Sequence, residues 1–149
     1  MLNNFSLHKK NIVFFLIIAI IILWQMLLPG YVLTLDMVFT PKLHILHHLG
    51  DFYNSLPLTA LLEFLNFFLS GWIIEKIILV SLFFLIGYLA FVFLPVPKKY
   101  HAHYFAALLY TINPFVYERF LAGQWTLLFA YALLPPFFYY LIALKDKPV

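Results

Sequence analysis

The chain has 149 residues, of which 65% are hydrophobic and only 10% are charged, and its net charge is +3. A soluble domain carries about 25% charged residues, so this composition excludes a water-soluble globular protein. The long apolar stretches lack the alternation of barrel strands, which leaves an all-α integral membrane protein. The chain contains no cysteine, which excludes disulfides, thiolate metal sites and a cysteine nucleophile.

The first predicted span covers residues 11–29, a stretch long enough to cross a hydrocarbon core of about 30 Å. Lys9 and Lys10 precede it, and basic residues before a span favour a cytoplasmic N-terminus. A basic start followed by an apolar run is also typical of a signal peptide. The sequence LPGY at residues 28–31 is not a small-residue cleavage site, so we interpret the stretch as a membrane anchor.

Residues 30–76 form the predicted outer loop, and two short amphipathic helices are predicted within it. The first covers 43–51, where one face carries four polar side chains: His44, His47, His48 and Asp51. The second covers 56–69, and its length of about 20 Å is too short for a span. Both helices are therefore predicted to lie in the membrane interface.

Three further spans are predicted over 77–96, 102–117 and 125–144. The span over 102–117 is broken at Asn113-Pro114, and the span over 125–144 is kinked or interrupted at Pro135-Pro136. In this four-span topology most lysines lie on the cytoplasmic side, together with both termini. A fifth span over 56–69 would reverse that bias. The lysines mark topology, so no nucleic-acid partner is predicted. Residues 1–149 form one membrane domain, which we expect to be the N-terminal part of a larger protein.

Asp36 stands in an apolar setting at the start of the predicted outer loop. A carboxylate in this position can act as a general base or bind a metal ion. Aspartate is also a common helix cap or turn former, and spacing alone favours that role.

The histidine face offers a second candidate site. Imidazoles of His44 and His47, one helical turn apart, can share a zinc ion. A closed zinc site needs three or four convergent ligands, and the spacing matches no known metalloenzyme motif. A polar face at the level of the lipid headgroups is therefore favoured, and no metal site is assigned.

Glu118 and Arg119 lie in the second predicted outer loop, a few residues before Gln124. The planar guanidinium of arginine is well suited to bind a phosphate. The residue is equally suited to reach lipid headgroups or to pair with a carboxylate. Both roles for Arg119 remain open at this point.

The sequence YTINPFVYERFLAGQW at residues 110–125, followed by YALLP at 131–135, resembles polytopic membrane proteins related to the type-C (GT-C-like) glycosyltransferases. These include the YfhO-like and the pyruvoyl-tetrahydropterin-synthase-related membrane proteins. The order of parts is also similar, because a first span leads into a long outer loop with an early aspartate. In oligosaccharyltransferases and protein O-mannosyltransferases, an acidic residue of that loop acts as metal ligand or base. The resemblance implies this role for Asp36.

The resemblance therefore implies transfer of a sugar from a polyprenyl-phosphate carrier to an acceptor outside the cell membrane. Asp36 would be catalytic, either as the base or as a ligand of a divalent cation, which would then be the cofactor. Arg119 would hold the carrier phosphate, and Glu118, Gln124, His44 and His47 would line the pocket. The alternative is a non-catalytic membrane subunit or scaffold, in which Asp36 and Arg119 point apart. A transporter is disfavoured because the first two spans carry almost no polar residues.

Overall fold

The computed structural model describes residues 2–37, 39, 56–96 and 101–145. Those residues form helices, turns and one non-helical segment that follows the first span, with no strand among them. The helices are α1 (Leu2–Leu23), followed by a 3-10 turn (Trp24–Leu27), α2 (Leu56–Asn66), α3 (Gly71–Phe93), α4 (Ala102–Thr111), α5 (Pro114–Leu121) and α6 (Trp125–Lys145). The all-helical architecture that the composition predicts is confirmed for this part of the chain.

Three helical segments are long and apolar enough to cross a membrane: Lys9–Leu27, Gly71–Phe93 and Trp125–Lys145. They indicate a multi-pass membrane protein. The remaining predicted span, 102–117, is made of two short helices of ten and eight residues. At about 1.5 Å per residue, neither crosses a core of about 30 Å. The predicted span over 102–117 therefore stays a prediction, and so does the position of α2 in the membrane interface.

Helix α3 lies at the centre, and α1, α4 and α6 all pack against it. Its fully buried residues include Leu79, Leu82 and Ile86. Gly87 admits α1, because a Cβ there would lie only 2.7 Å from the ring of Phe15. Small residues commonly allow such close approach between membrane helices.

Contacts along the bundle set the helix directions. Phe93, the last residue of α3, touches Tyr139 and Tyr140 near the end of α6, so α3 and α6 run parallel. Asn11, early in α1, accepts a hydrogen bond from the Tyr104 hydroxyl near the start of α4. We call the two ends of the bundle the Asp36 end and the Lys145 end.

Two helices differ from the predicted boundaries. Helix α3 begins at Gly71 rather than at 77, so Glu75 and Lys76 belong to the helix and not to the preceding loop. Their ion pair, with Lys76 Nζ 3.7 Å from Glu75 Oε2, offsets the cost of placing two charges in an apolar helix. Helix α6 is continuous through Pro135-Pro136, where a kink or an interruption is predicted.

Pro114 of α5 and Pro135 of α6 each leave one backbone carbonyl without its usual donor. In an α-helix the carbonyl of residue i accepts the N–H of residue i+4, and proline has no N–H. Pro114 thus frees the carbonyl of Tyr110, and Pro135 frees the carbonyl of Tyr131.

Each freed carbonyl accepts a hydrogen bond from the hydroxyl of the other tyrosine. The Tyr110 hydroxyl donates to the carbonyl of Tyr131 at 2.9 Å, and the Tyr131 hydroxyl donates to that of Tyr110 at 3.1 Å. The two rings stack with centroids 4.3 Å apart. We call this reciprocal arrangement the tyrosine exchange.

Asn113 completes the break between α4 and α5. Its Oδ1 accepts the N–H of Val116 at 3.1 Å as an N-cap, and its Nδ2 donates to the Tyr110 carbonyl at 2.7 Å. The same amide donates to the Tyr131 hydroxyl at 3.1 Å. In lipid no water replaces such partners, so these bonds allow a helix break beside a spanning helix.

We expect Tyr110→Phe to lower the free energy of unfolding by about 1 kcal/mol, because it removes the donor to the Tyr131 carbonyl. Pro135→Ala supplies a backbone N–H to the same carbonyl. The double variant should therefore lose less stability than the sum of the two single variants. Unfolding by SDS titration in mixed micelles measures the coupling.

Tyr140→Phe removes the hydroxyl of an exposed tyrosine of α6. It serves as the control and should change stability little. Strict additivity of Tyr110→Phe and Pro135→Ala would show that the hydroxyl does not replace the missing N–H.

Candidate functional site

The segment after the first span, residues 31–37, crosses the Asp36 end and is tied down at both of its ends. We call it the strap. The N–H of Val32 donates to Glu75 Oε2 at 3.0 Å, and the N–H of Asp36 donates to the carbonyl of Ala122 at 2.9 Å. Met37 is buried beside the second tie. The strap is thus held between α3 and the turn that joins α5 to α6.

Gly123 lets that turn approach the strap closely. Its φ is +77°, a conformation that favours glycine. A Cβ at this position would collide with the Thr34 hydroxyl and lie 2.6 Å from the Met37 nitrogen. The two predicted outer loops, one with Asp36 and the other with Arg119 and Gln124, are therefore in direct backbone contact.

The side chain of Asp36 is exposed at this contact. Among the residues that the structure describes, no hydrogen bond or ion pair involves its carboxylate. An exposed carboxylate without an internal partner is accessible to an incoming hydroxyl group or cation. This geometry suits a base or a ligand, whereas the capping role would require the carboxylate to bond a nearby N–H.

Arg119 is half-buried on the last turn of α5. Its Nη1 donates to Gln124 Oε1 at 2.9 Å, and its guanidinium lies 5.7 Å from the ring centroid of Phe115. Its Nε is buried and has no hydrogen-bond partner in the described part of the chain. Because Gln124 is neutral, this contact orients the guanidinium without neutralising its charge, which leaves it able to bind an anion.

The structure brings three predicted site residues to one end of the bundle. Arg119 and Gln124 touch, and the Asp36 backbone contacts the same turn. Within the described ranges the side chains of Asp36 and Arg119 do not touch each other. Glu118 is exposed on α5 and makes no ion pair with Arg119 there.

The predicted histidine face, which includes His44 and His47, lies outside the described residues. Among the residues that are described, no group of three histidine, aspartate or glutamate side chains converges. The zinc alternative and the pocket-lining roles of these histidines stay predictions.

Sequence reasoning assigned no role to Glu75, which is fully buried. Its Oε2 holds the strap and pairs with Lys76, while its Oε1 has no partner among the described residues. The signal for it was an acidic residue four positions into a spanning helix, a place where carboxylates are rare and usually functional or paired. Glu75 positions the strap that carries Asp36.

The arrangement joins an accessible carboxylate to a cationic turn at one end of a membrane bundle. A carboxylate can accept a proton or bind a cation, and a guanidinium can bind phosphate. Comparison of the chain with protein-family models, curated proteins and solved structures finds no match. The chemistry of this site therefore rests on its residues and on the resemblance described above.

We expect Gly123→Ala to destabilise the protein by about 1–3 kcal/mol, because the new methyl group adds backbone strain and a collision with the strap. Gly30→Ala is the matched control. Gly30 also has a positive φ, of +119°, but has nothing within 4 Å of the Cβ position. In thermal unfolding in detergent, the midpoint temperature of Gly123→Ala should lie well below that of Gly30→Ala. Equal losses of stability in the two variants would contradict a tight contact between the turn and the strap.

We also expect Glu75→Ala to release the strap at Val32. The substitution leaves a partly buried N–H and the Lys76 ammonium without their acceptor, which costs about 1 kcal/mol for the N–H alone. Hydrogen exchange of the Val32 amide should accelerate at least tenfold. Glu118→Ala, which removes an exposed carboxylate, should leave that rate unchanged. Unaltered protection of Val32 in Glu75→Ala would rule out this tie.

Proposed function

We propose that this chain carries the reaction site of a type-C-like membrane glycosyltransferase, which moves a sugar from a polyprenyl-phosphate carrier to an acceptor. The observation that supports the proposal best is the 2.9 Å hydrogen bond between the Asp36 N–H and the Ala122 carbonyl. This bond holds the carboxylate-bearing strap against the turn that bears Arg119. A transferase of this kind needs a base and a phosphate-binding cation near one another.

In the proposed reaction the Asp36 carboxylate takes the proton of the acceptor hydroxyl. The acceptor oxygen bonds to the anomeric carbon of the sugar, and the bond from that carbon to the carrier phosphate oxygen breaks. The phosphate leaves with the electron pair, and the Arg119 guanidinium stabilises its charge. Gln124 contributes by keeping the guanidinium in place.

The alternative role for Asp36 is to bind a divalent cation. Its exposed carboxylate would then supply one oxygen ligand, and the cation would stabilise the leaving phosphate. The role of Arg119 is unchanged in this case, because its guanidinium still binds the carrier phosphate.

The proposal assigns the Asp36 end to the outer face of the membrane. Lys9, Lys10 and Lys145 all lie toward the opposite end of the bundle. Clusters of lysine beside spans favour the cytoplasmic side. A carrier presented at the outer face would meet the Asp36 end directly.

A non-catalytic subunit is the second candidate, and two observations favour it. The Asp36 and Arg119 side chains do not touch within the described ranges, and Arg119 already has an internal partner in Gln124. In that role the Asp36 end would serve as a docking surface. Binding of the carrier separates the two candidates, because only the transferase needs to recognise its phosphate.

We expect Arg119→Ala to weaken binding of polyprenyl phosphate about 10–100-fold, because a charge-assisted hydrogen bond contributes about 1.5–3 kcal/mol. Binding of polyprenol, which lacks the phosphate, should be equal in both proteins. Titration of protein in nanodiscs with each lipid measures the two affinities. Lys10→Ala controls for loss of a positive charge, and equal binding of polyprenyl phosphate to Arg119→Ala and to the unaltered protein would disprove the role.

We expect Asp36→Asn to leave binding of polyprenyl phosphate unchanged while lowering sugar transfer about 100- to 10,000-fold, the usual contribution of a general base. Transfer is measured in proteoliposomes with a polyprenyl-phosphate-linked sugar as donor. A transfer rate unaffected by the substitution would assign Asp36 a structural role only.

A further inference from the structure

A groove lies between the end of α3, the end of α4 and α6 from Tyr131 onward. Its volume is about 480 Å³. Its lining is apolar and aromatic, and includes Phe93, Tyr110, Tyr131, Pro135, Phe138 and Ala143. None of these residues belongs to the candidate site at the Asp36 end.

The length of the groove matches one leaflet of a bilayer. It extends along α6 from Tyr131 to Ala143, a rise of about 18 Å at about 1.5 Å per residue. Half of a hydrocarbon core is about 15 Å. The groove therefore runs from the middle of the predicted membrane region to its boundary at the Lys145 end.

The width of the groove fits a single hydrocarbon chain. A volume of about 480 Å³ over about 18 Å leaves a mean cross-section of roughly 27 Å², which accommodates one extended acyl chain.

The deep end of the groove offers an apolar surface although two tyrosines form it. Both hydroxyls are used in the tyrosine exchange, where each donates to a backbone carbonyl. A ligand in the groove would thus meet the stacked rings rather than free donors. This favours a hydrocarbon over a ligand with polar groups along its length.

The other end of the groove is basic. Lys145 lies two residues after the lining residue Ala143 and is exposed. A chain in the groove that belongs to an anionic lipid would have its phosphate near Lys145.

We propose that the groove binds one acyl chain of an anionic phospholipid, with the phosphate held by Lys145 at the membrane boundary. The proposal goes beyond the glycosyltransferase activity and does not depend on it. It concerns the opposite end of the bundle from Asp36 and Arg119.

The test uses phosphatidylglycerol with a photoreactive diazirine near the end of one acyl chain, in nanodiscs with the full chain. Mass spectrometry maps the labelled residues. We expect labelling to concentrate near Tyr131 and Pro135, and to be at least fivefold stronger than with phosphatidylcholine that carries the same acyl chain. Labelling spread evenly over exposed faces of α1 and α6, or equal labelling by both lipids, would overturn the proposal.

Ala143→Trp fills the groove and should lower the labelling at least fivefold. Ala130→Trp places the same side chain on an exposed position of α6 outside the groove and should leave it unchanged. Lys145→Glu cannot disturb the packed core and should abolish the preference for phosphatidylglycerol. Circular dichroism confirms that each variant is folded.

Two further outcomes would contradict the proposal. Excess unlabelled polyprenyl phosphate that displaces the probe more strongly than phosphatidylglycerol does would assign the groove to an isoprenoid chain. A crosslink between two copies of the protein through groove residues would assign it to a protein interface.

Discussion

A backbone carbonyl inside a membrane needs a donor, and Pro114 and Pro135 each remove one. The structure compensates for these two losses with one pair of hydrogen bonds, in which the hydroxyls of Tyr110 and Tyr131 each donate to the carbonyl of the other residue across the contact between α4 and α6. Asn113 satisfies the groups that remain at the break. Since lipid offers no substitute for these bonds, the exchange ties the broken helix pair α4–α5 to the continuous helix α6.

The candidate site depends on that tie. Helix α5 starts directly at the break and ends at the turn that contacts the strap, so its position fixes where Arg119 and Ala122 lie. From the other side, the buried carboxylate of Glu75 holds the strap at Val32. The accessible carboxylate of Asp36 is therefore placed by hydrogen bonds on two sides of the strap. The opposite end of the bundle carries an apolar groove.

Much of this organisation can be predicted from the sequence. Long apolar runs identify the spanning helices, because a hydrocarbon core demands about 20 such residues, and Asn113-Pro114 marks the helix break. The grouping of Asp36 with Arg119 and Gln124 at one end also follows from alternating the direction of successive spans. The start of α3 was predicted too late, since charges at Glu75 and Lys76 look like a loop until their mutual pairing is known.

The amino-acid order by itself determined the membrane class, the helical architecture and the grouping of Asp36, Arg119 and Gln124 at one end of the bundle. Those properties depend on local hydrophobicity and on chain direction, both of which can be read along the chain. Only the tertiary structure decided that Tyr110 and Tyr131 serve each other's carbonyls, that Gly123 admits the strap, and that Glu75 is an anchor. Each of these is a contact between segments far apart in sequence, and its energy comes from burial and hydrogen bonding that exist only after the helices have packed.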